Sequence, residues 1–445
     1  MAKRLFGTDG IRGVAGRPPL DPNTVTALGL ALAADLTRHS LRGKPVLIGM
    51  DTRESGPDLA ARLAAALGAR GVTVQSAGVI TTPGVAYLTR TGDFAAGIMI
   101  SASHNPFEDN GIKIFARTGF KLPDNDEHDI EEEIFRLLPA IEVPSVPVPM
   151  PSYSCRPYTD FLLSTLSALL TGHRVVLDCG NGSASTLASE LFREAGADVT
   201  TINDRPDGRN INLDCGALHL GSLQTKVRET GADAGIAFDG DADRALLVAP
   251  SGRIVDGDAI MLIAARRMQA DGHLTGNLVV STVMSNLGLE QALERLGITM
   301  LRTAVGDKYV LEEMLRRDAA LGGEQSGHII FREYATTGDG MLTALKVLET
   351  SVREGASLDE LAADLTVFPQ LLVNVRVKER KPLEEMPRVM DEIRACEAEL
   401  DGSGRVLVRF SGTELLLRVM VEGPEQRSIE TLADRIVSAI RAELG

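Results

Sequence analysis

The chain has 445 residues, 44% hydrophobic and 24% charged, the composition of a globular protein large enough for about three domains. Its net charge of -15 excludes a broad nucleic-acid or anionic-membrane surface, since both need a basic footprint. Four scattered cysteines without a C-x-x-C pair argue against a structural zinc site, and no apolar run approaches the roughly 18 residues of a membrane span, so the expected location is the cytoplasm.

In chain order, residues 24–36 have amphipathic helical spacing and residues 45–50 read as a buried strand. Residues 58–67 form an Ala/Leu-rich helical stretch. The apolar run 95–100 predicts a strand that delivers Ser101-Ala102-Ser103-His104-Asn105-Pro106 at its carboxyl end, where open α/β sheets collect ligands. Asn110-Gly111-Ile112-Lys113 predicts a turn returning Lys113 toward the same spot. Residues 141–151 contain four prolines and read as a linker.

A second unit follows, with strand 174–177, a tight turn at 178–182, helix 184–195 and strand 197–202. Strand 234–238 opens directly into Asp239-Gly240-Asp241-Ala242-Asp243-Arg244, and 245–255 predicts a hairpin. A third α/β unit has strands at 278–282 and 300–303, then the loop Gly323-Glu324-Gln325-Ser326-Gly327-His328 before the strand-like 329–331. Beyond Pro369 the texture becomes α+β, with strands at 373–377, 405–409 and 415–421 and a terminal helix over 425–444. The expected division is 1–150, 151–255, 256–368 and 369–445.

The chemistry-bearing segments are specific in combination. Pro106 forces the preceding residue out of helix, which suits Ser103 held on a rigid loop beside His104. Asp239, Asp241 and Asp243 repel one another unless a cation neutralises them, and an all-oxygen ligand set indicates Mg²⁺. The spacing does not make an EF-hand, because Arg244 and Pro250 occupy positions that need Gly and Glu. No P-loop is present. The 323–328 loop suits recognition of several hydroxyls, or is a plain helix-breaking loop. Arg409, Ser411, Gly412, Thr413 and Arg418 combine guanidinium groups, hydroxyls and a glycine backbone in the manner of an anion nest, with a glycine turn between strands as the alternative.

Five segments together, 6–13, 101–106, 239–244, 323–328 and 409–414, resemble the α-D-phosphohexomutase superfamily in the family's order, most closely its bacterial glucosamine branch. The resemblance implies three similar α/β domains with mixed sheets and a C-terminal α+β domain around a central cleft. It implies a phosphoserine at Ser103 and Mg²⁺ bound by its phosphate with Asp239, Asp241 and Asp243. It further implies sugar recognition by Glu324 and Ser326 within the loop that ends at His328. The substrate's non-reacting phosphate would be held by Ser411, Thr413 and Arg418, with Arg409 and Gly412 in the same loop.

Arg12, Lys113 and Arg244 are expected to spread developing phosphoryl charge, and Lys113 or His104 to move protons. Lys308 stands where the family often has Arg, keeping charge without the bidentate fork. The implied reaction interconverts glucosamine 6-phosphate and glucosamine 1-phosphate through a 1,6-bisphosphate, with a homodimer as the assembly common in the family. A phosphomannomutase/phosphoglucomutase, a metal-dependent sugar phosphatase and a non-catalytic sugar-phosphate sensor are the competing expectations.

Overall fold

The structure is a computed structural model that describes residues 5–41, 43–142, 148–410 and 415–444. Among them, the first sheet contains β1 (Ile11–Val14), β2 (Val46–Met50), β3 (Val74–Val79), β4 (Ala96–Ile100) and β5 (Asp109–Ala116), ordered β1-β5-β4-β2-β3. The second contains β6 (Arg174–Asp178), β7 (Asp198–Ile202), β8 (Ala234–Phe238), β9 (Ala245–Val248) and β10 (Ile254–Val255), ordered β10-β9-β8-β6-β7. The third contains β11 (Leu278–Thr282), β12 (Thr299–Thr303), β13 (Leu321–Gly323) and β14 (Ile329–Phe331), ordered β12-β11-β13-β14. The fourth contains β15 (Gln370–Arg376), β16 (Arg405–Phe410) and β17 (Leu416–Glu422), ordered β15-β17-β16 with both pairings antiparallel.

The first three sheets share one wiring. β2 pairs parallel with β3 and β4, and β5 then adds antiparallel to β4. β6 pairs parallel with β7 and β8, and β9 adds antiparallel to β8. β11 pairs parallel with β13, and β14 adds antiparallel to β13. The connection where parallel pairing turns antiparallel carries Ser103 in the first sheet, the three aspartates in the second and Glu324 to His328 in the third. β4 and β8 are buried at every position, as strands covered on both faces must be. They therefore fix where those connections begin.

The chain divides into two compact units, Met1–Val283 with Met300–Ala363, and Met284–Thr299 with Asp364–Gly445. In the first, helices Pro22–Arg38 and Gly56–Ala69 cover one sheet face, their Leu28, Leu32 and Leu63 joining Val46, Ile48 and Ile98 in the core. Gly29 lets them approach closely, since a Cβ there would lie 2.6 Å from that of Ala66. In the second unit, Leu417, Val419 and Val421 pack with Ile429, Ile436 and Ile440 of helix Gln426–Leu444. Helix Leu287–Arg295 also belongs to this unit, its Leu287 N–H donating to the buried Glu422 carboxylate at 3.0 Å.

Three sequence expectations change. Residues 110–113 are part of β5 rather than a turn: Gly111 is there for close approach, since a Cβ would lie 2.5 Å from Ser101 O. The helix expected over 184–195 is a single 3₁₀ turn, Ser183–Thr186, followed by helix Ala188–Glu194. The first helix starts at Pro22, because the Asp21 carboxylate accepts the N–H groups of Asn23 and Thr24 and proline suits the first turn. Within the expected linker, residues 143–147 lie outside the described residues. Beyond them Ser76 N–H donates to Pro151 O at 2.9 Å and Tyr153 N–H to Ser76 O at 2.7 Å, so the chain runs along the exposed edge of β3. Among the described residues no helix is long and apolar enough to cross a membrane.

Candidate active site

Ser103 stands three residues beyond Ile100, the end of β4, and adopts φ +53°, a left-handed conformation uncommon outside glycine. Its N–H donates to Ser101 Oγ at 2.9 Å, and that hydroxyl donates to Asp51 Oδ2 at 2.6 Å. Ser103 is 1% exposed, and its Oγ donates to Asp239 Oδ2 at 2.5 Å while His104 Nδ1 stands 3.3 Å away. The serine and aspartate loops meet because residue 240 is glycine. A Cβ there would lie 2.5 Å from Ser103 O.

Asp239, Asp241 and Asp243 are buried, and each offers a ligand oxygen within 4.8 Å of the others. At that distance each ionised pair repels by about 3 kcal/mol or more at an effective dielectric of about 20. Lys113 on β5 supplies part of the counter-charge, with Nζ 2.8 Å from Asp241 Oδ2, 3.4 Å from Asp243 Oδ2 and 3.0 Å from Asp9 Oδ2. Thr82 Oγ1 also donates to Asp241 Oδ2, at 2.5 Å. The second oxygens, Asp241 Oδ1 and Asp243 Oδ1, are buried with no hydrogen-bond partner. Unsatisfied hard oxygens converging in one place fit a divalent cation.

The surrounding charges oppose burial. Burial disfavours the charged form of Lys113, but Asp241, Asp9 and Asp243 outweigh it and hold the ammonium protonated. Burial likewise opposes ionisation of Asp9, and Lys113, Lys121 and Arg12 overcome it, keeping the carboxyl well below its usual range. Asp239 goes the other way, raised by burial and by Asp243 and Asp241. His104 is lowered to about 4 by burial, then by Arg244 and Arg12, so its imidazole is neutral at neutral pH.

A cavity of about 410 Å³ opens beside this cluster, lined by Arg12, His104, Asp243, Arg244, Glu324 and His328, with Asp9 and Asp307. Arg12 reaches Ala102 O and pairs with Asp9. Its Nε and that of Arg244 are buried donors without a partner. Glu324 Oε1 accepts Gly306 N–H at 3.1 Å. His328 Nε2 accepts Gly338 N–H at 3.0 Å, which assigns its proton to Nδ1, 3.6 Å from Asp243 Oδ2.

Other expected residues lie elsewhere. Lys308 pairs with Asp124, with Glu312 Oε1 3.8 Å away, and lines a neighbouring cavity of about 370 Å³ instead. Ser326 Oγ is buried without a partner and does not line the 410 Å³ cavity. Gln325 turns away, its Nε2 3.3 Å from Asp256 Oδ2. Ser411, Gly412 and Thr413 lie outside the described residues. In the second unit, Arg409 and Arg418 face each other across β16 and β17, and Arg418 Nε is a buried donor without a partner. Burial and Arg418 together lower the Arg409 pKa.

Sequence reasoning missed Lys121, which bridges Asp9 and Asp307, as well as Thr82, Asp51, Arg53 and Asn212. Thr81-Thr82-Pro83 carries the one available signal, a helix start whose second residue faces Asp241.

Comparison with known proteins covers the chain. Four family profiles match in order: phosphoglucomutase/phosphomannomutase alpha/beta/alpha domain I over residues 3–139, domain II over 156–252, domain III over 256–368 and the C-terminal domain over 372–439. The phosphoglucosamine mutase of Solibacter usitatus (strain Ellin6076) is 58% identical over 449 residues, covering 100% of both chains. The phosphoglucomutase/phosphomannomutase family protein of Burkholderia thailandensis superposes with TM-score 0.81 at 25% identity, covering 98% of this chain and 97% of that one. Aspergillus fumigatus N-acetylphosphoglucosamine mutase, solved with GlcNAc-6P and magnesium, shares the fold at TM-score 0.68 and 19% identity over 99% and 96% of the two chains. Each chemistry-bearing loop falls inside one of the four matched segments, and the chain belongs to the phosphoglucomutase/phosphomannomutase family of phosphosugar mutases, which are isomerases.

Proposed function

We propose that the protein is a phosphoglucosamine mutase that interconverts glucosamine 6-phosphate and glucosamine 1-phosphate, supplying UDP-N-acetylglucosamine and cell-wall synthesis. The carrying observation is Ser103 Oγ at 2.5 Å from Asp239, inside a three-aspartate cluster and beside a cavity rimmed by Arg12 and Arg244. The choice of sugar is supported by full-length 58% identity to a protein named for it.

In the forward half-reaction the phosphoryl group leaves Ser103 Oγ and bonds to O1 of glucosamine 6-phosphate. The O1 proton passes by way of a base to the departing Ser103 Oγ, giving the 1,6-bisphosphate and a free serine hydroxyl whose proton is released again in the second half-reaction. After the intermediate turns around, Ser103 Oγ takes the phosphoryl group from O6, which regains a proton. His104, neutral and 3.3 Å from Ser103 Oγ, is positioned to hold that proton, whereas Lys113 is kept charged by its three carboxylates and serves as a fixed cation. Arg12 and Arg244 bring unpartnered N–H donors toward phosphoryl oxygens. Asp239, Asp241 and Asp243, together with the phosphoserine, would hold Mg²⁺, which would supply charge neutralisation at the transferring group. Glu324, Ser326 and His328 read sugar hydroxyls. Arg409, Ser411, Gly412, Thr413 and Arg418 hold the phosphate that is not reacting, a role supported by two arginines placed opposite each other, one of them with a buried Nε donor that lacks a partner.

The division into domains 1–150, 151–255, 256–368 and 369–445 belongs to the same proposal and is supported by the four sheets and four matched segments. So do a cytoplasmic location, supported by four cysteines that are all free thiols, and a homodimer, which sedimentation analysis tests.

A second reading, a phosphomannomutase/phosphoglucomutase, is favoured by one observation: Gln325, whose motif together with the opening Phe6-Gly7-Thr8-Asp9-Gly10 carries the resemblance to the glucosamine branch, faces Asp256 and not the cavity. Relative kcat/KM for glucosamine, glucose and mannose 6-phosphates decides. A glucosamine phosphate turned over no better than the others overturns the proposed specificity, and stoichiometric release of inorganic phosphate overturns the mutase reading in favour of a phosphatase.

A further inference from the structure

A left-handed, non-glycine serine has to be held in place by its surroundings. Two donors from different sheets do this at the same pair of oxygens. Arg53, following β2 and 1% exposed, directs Nη2 to Ser103 O at 3.0 Å and to Asn105 O at 2.9 Å. Its Nη1 reaches Asp109 O at 3.1 Å and also Pro106 O, and its Nε reaches Asp51 Oδ2 at 2.9 Å. Asn212, in the connection after β7, directs Nδ2 to the same Ser103 O at 2.9 Å and Asn105 O at 3.2 Å. Each carbonyl has two lone pairs, and both are engaged. Asn212 is fixed in turn, at φ +57° with its N–H on Gly180 O at 2.9 Å.

We propose that Arg53 and Asn212 are positioning residues that clamp the Ser103 loop from two domains, so that the serine oxygen keeps one position through both half-reactions and the sugar intermediate does all the moving. The inference rests on the reading of Ser103 as the phosphoryl carrier. Neither residue touches the cavity that would receive the sugar, so their loss is expected to change chemistry and not substrate affinity.

The test is stopped-flow quench and intact-mass measurement of phosphoryl uptake from glucose 1,6-bisphosphate, alongside steady-state kinetics, in Asn212→Ala and Asn212→Asp. Ala leaves Arg53 on both oxygens and keeps the fold. Asp, nearly isosteric, sets a carboxylate oxygen against two carbonyl oxygens. Uptake rate and kcat fall together, by about 10-fold for Ala and about 100-fold for Asp, the cost of a misplacement near 1 Å. KM stays within about twofold, and the end-point of uptake, which counts competent sites, stays at the wild-type level. A lowered end-point with unchanged rate per competent site makes the role purely structural and overturns the proposal, as does an unchanged uptake rate in both variants. If Asp prevents folding, the Ala variant decides by the same criteria. If the wild type takes up no phosphoryl group at Ser103, the parent reading fails and this one falls with it.

Discussion

The Ser103 loop and the arginine face of the C-terminal sheet treat their polar groups in opposite ways. Around Ser103 the loop's polar groups are spoken for: its N–H, its carbonyl and its hydroxyl all have partners, and the nearest guanidinium, Arg53, is fully engaged. On the other sheet, Arg409 and Arg418 stand directly opposite each other, an arrangement that destabilises a bare sheet. Arg418 Nε lacks a partner. On the proposed reading of the site, the difference separates two tasks. A bond-making atom has to be placed before substrate arrives, while an anion-holding surface gains most when its donors are completed only by the anion.

The largest expected effect comes from breaking the finished side. Ser103→Ala removes the phosphoryl acceptor and lowers kcat by about 10⁴-fold or more, with circular dichroism and melting temperature unchanged. Appreciable turnover in that variant ends the covalent mechanism. On the unfinished side, Arg418→Ala removes charge-assisted hydrogen bonds of about 1.5–3 kcal/mol, so KM rises about 10- to 100-fold while folding is hardly affected. An unchanged KM removes Arg418 from phosphate binding.

A third test concerns what stands behind the finished side. Asp339 caps helix Gly340–Glu354, whose first N–H holds Ala242 O at 3.0 Å, and Tyr158 OH donates to Asp339 Oδ2 at 2.8 Å. Burial raises the Asp339 pKa to about 6. A carboxyl raised on folding contributes stability that is fully present below its unfolded pKa of about 4 and is lost as pH rises through 6. The loss is on the order of 2–3 kcal/mol. Asn caps helices as well as Asp. The melting temperature of Asp339→Asn should therefore fall less than that of wild type between about pH 4 and 6.5, and parallel curves contradict the assignment. The smallest effect belongs to Lys308→Ala. Its pair with Asp124 is partly exposed, at 26% and 57%, and such pairs contribute about 0–1 kcal/mol. Stability and KM should hardly change, whereas a large rise in KM means that Lys308 leaves Asp124 to meet substrate.

The sequence made contiguous chemistry legible. The run 95–100 reads as a buried strand, so the position of Ser103 at its carboxyl end follows, and 234–238 places the aspartates in the same way. What stayed hidden depends on partners far away in the chain. Asn212 is 109 residues from Ser103, and no local pattern distinguishes it from any other loop asparagine. Gly111 reads as a turn residue beside Asn110, but its role is to admit Ser101 O from the neighbouring strand. Lys308 keeps the charge expected at its position, yet an acidic residue 184 positions away in the chain, Asp124, captures it.

The shared wiring of the first three sheets puts each chemistry-bearing segment at the same place, the connection between two antiparallel strands. The connections are tied to one another all the same: Ala245 N–H, at the start of β9, donates to Gly327 O at 3.2 Å, and Gly257 N–H donates to Gln325 O at 3.0 Å, so the 324–328 connection leans on the strand that leaves the aspartates. A segment exchanged between relatives at this position would have to keep both of those anchors, or it would disturb the aspartate loop along with itself.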